Sequence, residues 1–169
     1  MKTFSDIINE ATEESEFTVE EVQKTVLDAW NKYFPKSNCW HFKNGIGSDK
    51  YMIFTCTIGK DKSEFINGID RNDPLNLSFS IDLSRQPVTI TYKSNSIAIS
   101  PPEGSYLAYG REKLKLRKTK VKNMKDLKTK LEKAFSTTKE TIKTLLKDGK
   151  FDAVYSRDGI VDMIKKKVS

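Results

Sequence analysis

The chain has 169 residues, 37% of them hydrophobic, which suffices for one domain that buries about 70% of its unfolded surface. No apolar run approaches the ~20 residues of a membrane span, so a helical membrane protein is excluded. Cys39 and Cys56 lie in strand-like stretches without CxxC spacing and read as buried, reduced thiols acting as small apolar side chains. Together these features describe a soluble protein of a reducing compartment or a virion. The formal charge is +7, and it is unevenly spread. Residues 1–110 hold 11 Lys/Arg against 15 Asp/Glu, whereas residues 111–169 hold 19 against 8. Such polarity predicts a basic face, which attracts polyanions, nucleic acid first among them. The plainer reading is a lysine-rich surface that keeps the protein soluble.

In chain order, the first stretch is MKTFSDIINEA, residues 1–11. Phe4, Ile7 and Ile8 fall at i, i+3 and i+4, so a helix would gather them on one narrow apolar face. From Ala11 to Glu16 the chain turns acidic (ATEESE). A short apolar-faced peptide joined by a soft, small-residue junction suits a segment that a partner grips and a protease removes. It equally suits an amphipathic helix docked on its own domain. With two acids and no long apolar core, it is not a secretory signal.

MKTFSDIINE-A resembles the capsid-targeting sequence of T-even-type bacteriophage internal head proteins. Those proteins begin with a short amphipathic leader of the Met-Lys-Thr-aromatic kind. The maturation protease of the prohead cuts such leaders after a Glu preceded two residues earlier by Ile or Leu. Ile8, Asn9 and Glu10 fit that pattern, which implies a cut before Ala11. The likeness covers residues 1–11 and implies a leader (1–10) followed by a single domain (11–169). It also implies the prohead and its protease as partners, and a location inside the virion head and then in the host cytoplasm after injection.

After the acidic link, Thr18 and Glu21 form a capping-box pattern, with Phe17 and Val22 placed as a hydrophobic staple. Val22, Val26, Ala29, Trp30 and Tyr33 then share one helical face, which Pro35 ends near Phe34. Asn38 to Lys43 and Tyr51 to Ile58 read as strands around Gly45 and Gly47. In the second, Met52, Phe54, Cys56 and Ile58 alternate with a mixed face of Tyr51, Ile53, Thr55 and Thr57. Ser63 to Asp70 suits a helical turn.

Leu75, Leu77, Phe79, Ile81 and Leu83 make the cleanest period-2 run, with Asn76, Ser78, Ser80 and Asp82 outward. Past Pro87 the pattern resumes in Val88, Ile90 and Tyr92; Ser94-Asn95 then reads as a turn into Ile97 and Ile99. Ser100 to Gly104 is a loop with two prolines, and Tyr106 to Tyr109 re-enters the sheet.

Arg111 to Lys122 (REKLKLRKTKVK) is the most basic stretch. Leu114 and Leu116 alternate with Lys113, Lys115 and Arg117, so a strand here lines cations along one face. Lys118, Lys120 and Lys122 carry the charge toward the longest helix. That helix starts at Asn123 and stops at Gly149, with Met124, Leu127, Leu131, Ala134, Phe135, Ile142, Leu145 and Leu146 at helical spacing. A last short helix holds Ile160, Val161 and Ile164 and ends in Lys165 to Lys167. The order predicts one α+β domain: a mainly antiparallel sheet of about five to seven strands, covered by an N-terminal helix and the long C-terminal helix.

Recognisable chemistry is thin. His41, between Trp40 and Phe42, suits a structural histidine better than a base or ligand. One histidine and two scattered cysteines argue against a zinc site, and no cofactor is expected. Asn44-Gly45-Ile46-Gly47 is hairpin chemistry rather than a phosphate loop. Asp49, Asp61, Asp70, Asp73 and Asp82 are carboxylates whose convergence the sequence does not show. The expectation is a non-enzymatic binder. The leader resemblance points to an injected inhibitor of a host defence or other factor; the basic segment Arg111, Lys113, Lys115, Arg117, Lys118, Lys120 and Lys122 points to sequence-tolerant DNA binding.

Overall fold

The structure, a computed structural model, describes residues 17–42, 49–58, 75–99, 111–151 and 160–169. The leader, the Gly45/Gly47 turn, the Ser63–Asp70 helical turn, the two-proline loop and the Tyr106–Tyr109 strand lie outside them. The described residues form an α+β domain around one antiparallel sheet.

Helix α1 spans Val19–Tyr33. The Glu21 N–H donates to the Thr18 hydroxyl at 3.2 Å, and that hydroxyl donates in turn to the Glu21 carboxylate at 2.9 Å. The cap therefore closes side chain to side chain on its return half. Val22, Val26, Ala29 and Trp30 are buried, and Phe34 beyond the end is buried with them.

Strands β1 (Asn38–Phe42), β2 (Tyr51–Thr57), β3 (Leu75–Asp82) and β4 (Val88–Ala98) lie side by side in chain order. Two short strands, β5 (Arg111–Lys113) and β6 (Thr119–Val121), both pair with β4, making six strands. Every pairing is antiparallel. The expected turn at Ser94-Asn95 is absent. β4 runs through it, and the register against β3 shifts between Ser78 and Phe79, which leaves Lys93 as an extra residue on β4. A bulge reverses which parity faces the core, so the single strand looks like two short ones in sequence. Val88 and Ile90 are buried before it, and Ile97 after it.

β5 and β6 are halves of one interrupted edge strand. Ser96 pairs with Lys113 and Ile90 with Thr119, so five residues separate the two pairs on each side. Between them the Leu114 N–H donates to the Asn95 carbonyl at 2.7 Å, and the Asn95 amide donates to the Leu116 carbonyl at 3.1 Å.

The core lies between one sheet face and the helices. Its centre is a row of rings crossing four strands: His41 on Phe54 (5.1 Å), Phe54 on Phe79 (5.3 Å) and Phe79 near Tyr92 (5.7 Å). The row continues into the helical layer. Phe79 meets Phe135 at 6.1 Å, Phe135 meets Trp30 edge-on at 5.2 Å, and Trp30 stacks on Phe34 at 4.3 Å. Burial drives the Tyr92 phenol pKa well up.

Cys39 and Cys56 face each other across β1 and β2 and are joined as a disulfide, not held as separate thiols. Directly opposed positions of antiparallel strands bring their Cβ atoms close enough to bond. Their 17-residue separation does not reveal that opposition.

Helix α2 (Met124–Lys147) covers the core with Leu127, Leu131, Ala134, Phe135, Thr138, Ile142 and Leu145. Asn123 caps it by accepting the Asp126 N–H at 2.9 Å, and Gly149 takes φ 65° just after its end. Thr138 sits fully buried on the apolar face, its hydroxyl donating to the Ala134 carbonyl at 2.9 Å. Helix α3 (Ile160–Val168) adds Ile164 and Val168 to the core. Among the described residues no helix is long and apolar enough to cross a membrane.

Candidate nucleic-acid interface

Arg111, Lys113, Lys115, Arg117, Lys118, Lys120 and Lys122 are all exposed, along the edge strand formed by β5, β6 and the link between them. Their arrangement follows from what the strand buries. Leu114 and Val121 are buried and Leu116 packs against the core, which turns the intervening cations outward. Both Arg117 and Lys118 are exposed, so the inward parity changes there from Leu114 and Leu116 to Thr119 and Val121. The Thr119 hydroxyl closes this step by donating to the Arg117 carbonyl at 2.8 Å.

Glu112 is the one carboxylate in the segment. Among the described residues, no carboxylate lies within ion-pair distance of Lys113, Lys115, Arg117, Lys118, Lys120 or Lys122. The Arg111 guanidinium reaches the Ser96 hydroxyl at 3.4 Å. Edge lysines also discourage strand pairing between molecules. One or two suffice for that; here seven cations follow one another along twelve residues, so the edge is also a strong positive line.

The line is braced against α2. Lys130 bonds the Asp126 carboxylate at 2.7 Å and the Lys120 carbonyl, while the Lys122 N–H donates to Asp126 at 2.9 Å. The Lys130 ammonium first, and then that N–H, hold the Asp126 carboxyl below the usual carboxylate range. A lowered folded-state pKa stabilises the fold above the unfolded-state value, and the contribution is lost as pH falls through the folded one. Between about pH 5 and pH 2 the wild-type Tm should therefore fall further than that of Asp126→Asn. Parallel falls in the two proteins would show that the pair adds nothing measurable.

The register also places groups to which the sequence assigns no role. Trp40 and Phe42 lie on the face opposite the core, in rows with Thr55 and Ile53, and Tyr51 lies in a row with Asp82, Thr89 and Lys120. Lys93, at the bulge, sits 5.2 Å from the centre of the Tyr51 ring. The Tyr51 hydroxyl donates to Ser80 at 3.1 Å, and that bond, followed by Lys93, holds its pKa below the usual phenol range. Period-2 alternation separates the two faces of β2 but does not say which strands adjoin, so the meeting of Tyr51 with Lys93 is beyond its reach.

Ile8, Asn9, Glu10 and Ala11, the cleavage-like residues, lie outside the described residues. Asp61, Asp70 and Asp73 do too. Among the described residues no three His, Cys, Asp or Glu side chains gather as a metal site. His41 stacks on Phe54 in the core row. Set against protein-family models, curated proteins and solved structures, the chain matches none.

Proposed function

We propose that this is a non-catalytic binding protein, carried in a phage head with the genome, whose cationic sheet edge holds nucleic-acid phosphates without reading sequence. The observation that carries it is the edge strand: seven exposed cations, six of them with no ion-pair partner among the described residues. Alternate exposed residues on a strand repeat every ~6.7 Å, so a flexible polyanion can meet several at once. Binding of this kind is driven by counterion release and has a Kd on the order of 10⁻⁴–10⁻⁶ M at physiological salt.

The test is fluorescence anisotropy with two DNA duplexes of equal length and unrelated sequence. The two should bind equally, and far more tightly at low salt. Absence of binding even at low salt would overturn the proposal.

A second reading assigns the same edge to an acidic host protein, a defence factor that the injected protein disables. MKTFSDIINE supports it, because the internal head proteins it resembles include such inhibitors. Both readings place residues 1–10 as a leader removed in the prohead. Mass spectrometry of purified virions should then find the chain beginning at Ala11, and Glu10→Ala should leave it uncut. Full-length chain at high copy in mature virions would contradict the processing.

A further inference from the structure

We propose that the sheet face opposite the core binds single-stranded nucleic acid, with unpaired bases stacking on Trp40, Phe42 and Tyr51 and the phosphates turned toward Lys93 and the cationic edge. This rests on the phosphate-binding reading and adds the part of the ligand that the edge alone does not recognise.

Three observations select this occupant. The first is aromatic. Phe42 is 40% exposed, the one large hydrophobic so exposed among the described residues, and Trp40 and Tyr51 are partly exposed. Trp40 and Phe42 are two residues apart on β1, so their side chains leave the same face about 6.7 Å from each other. Phe42 is opposite Ile53, two residues from Tyr51 on the neighbouring strand. The rings therefore form a group at one side of the sheet.

The second observation is the floor between the rings and the cations. The rows starting at Trp40 and Phe42 continue through Thr55, Ser78 and Ser94, and through Ile53, Ser80 and Thr91. Hydroxyl side chains dominate, so no bulky group on β3 separates the two sides.

The third is charge. By register, Lys113 and Lys120 belong to this same face, four strands from β1, or about 19 Å at the usual strand spacing. The Lys93 ammonium lies between, over the Tyr51 ring. Asp82 is the face's carboxylate among these rows, and it is engaged by Arg85 at 3.4 Å and by the Ser84 N–H at 3.0 Å. The face thus offers π surfaces at one side and cations from the middle to the other.

A duplex satisfies only the cations, because its bases are stacked on one another and closed to the rings. An acidic peptide likewise leaves the rings without a matching group. A single strand presents base faces and phosphates together, the combination that stacking platforms in basic grooves take.

The experiment measures affinity at one low salt concentration for three fluorescent probes of about 12 nucleotides, a length within the span such faces hold. They are oligothymidylate, an abasic strand of equal length, and a duplex. Oligothymidylate should bind more tightly than the abasic strand. Phe42→Leu, which keeps apolar bulk and loses the π face, should weaken oligothymidylate binding about five- to a hundred-fold, and Phe42→Trp should restore it. Neither variant should change duplex or abasic-strand binding. Equal affinity for oligothymidylate and the abasic strand, or an indifferent Phe42→Leu, would overturn this inference while duplex binding left the edge reading standing. Loss of all binding by the wild-type protein would overturn both.

Discussion

Replacing Phe79 with alanine will destabilise the protein by about 3–5 kcal/mol, measured as a shifted urea midpoint at unchanged slope. Phe79 is fully buried and touches rings on three sides: Phe54 on β2, Tyr92 on β4 and Phe135 on α2. It links the strand row to the helical layer, so truncation opens a cavity at the junction that neither layer can close alone. Against a total stability of about 5–15 kcal/mol for a domain, that loss removes a large share. Phe135→Ala should cost about as much, since it joins Phe79 to Trp30. A cost below about 1 kcal/mol for either would show that the rings do not form the centre of the core.

Much of this core is legible in the residues. Leu75 to Ile81 and Met52 to Ile58 alternate without a break, and each apolar member of the inward set is buried. Thr18, Asn123 and Gly149 mark helix ends because each supplies a bond or a φ that its end needs. Where alternation misleads, a local irregularity changes the parity. The bulge at Lys93 makes one long strand read as two around a turn. Thr138 escapes the apolar pattern because a hydroxyl that bonds its own helix can sit among apolar side chains.

What stays hidden in the sequence is neighbourhood. The Cys39–Cys56 bond and the grouping of Trp40, Phe42 and Tyr51 depend on which strands adjoin and in what register. Residue periodicity encodes faces, not partners. The cationic segment is legible because its alternation is internal: Leu114 and Leu116 turn inward, and Lys113, Lys115 and Arg117 are thereby turned out.

Replacing Lys113, Lys115 and Arg117 together with glutamine should weaken duplex binding about tenfold at low salt, since each exposed ion pair contributes up to about 1 kcal/mol. The fold should be unaffected, because none of the three side chains is buried or ion-paired among the described residues. An inhibitor function resting on another surface would survive the same change. The decisive measurement is the slope of log K against log salt for the wild type and this triple variant. If the edge grips phosphates, the slope becomes shallower by roughly 0.9 for each phosphate no longer neutralised, or up to about 2.7 for all three. An unchanged slope would contradict the account, because the cations would then be serving solubility and the phosphates would be held elsewhere.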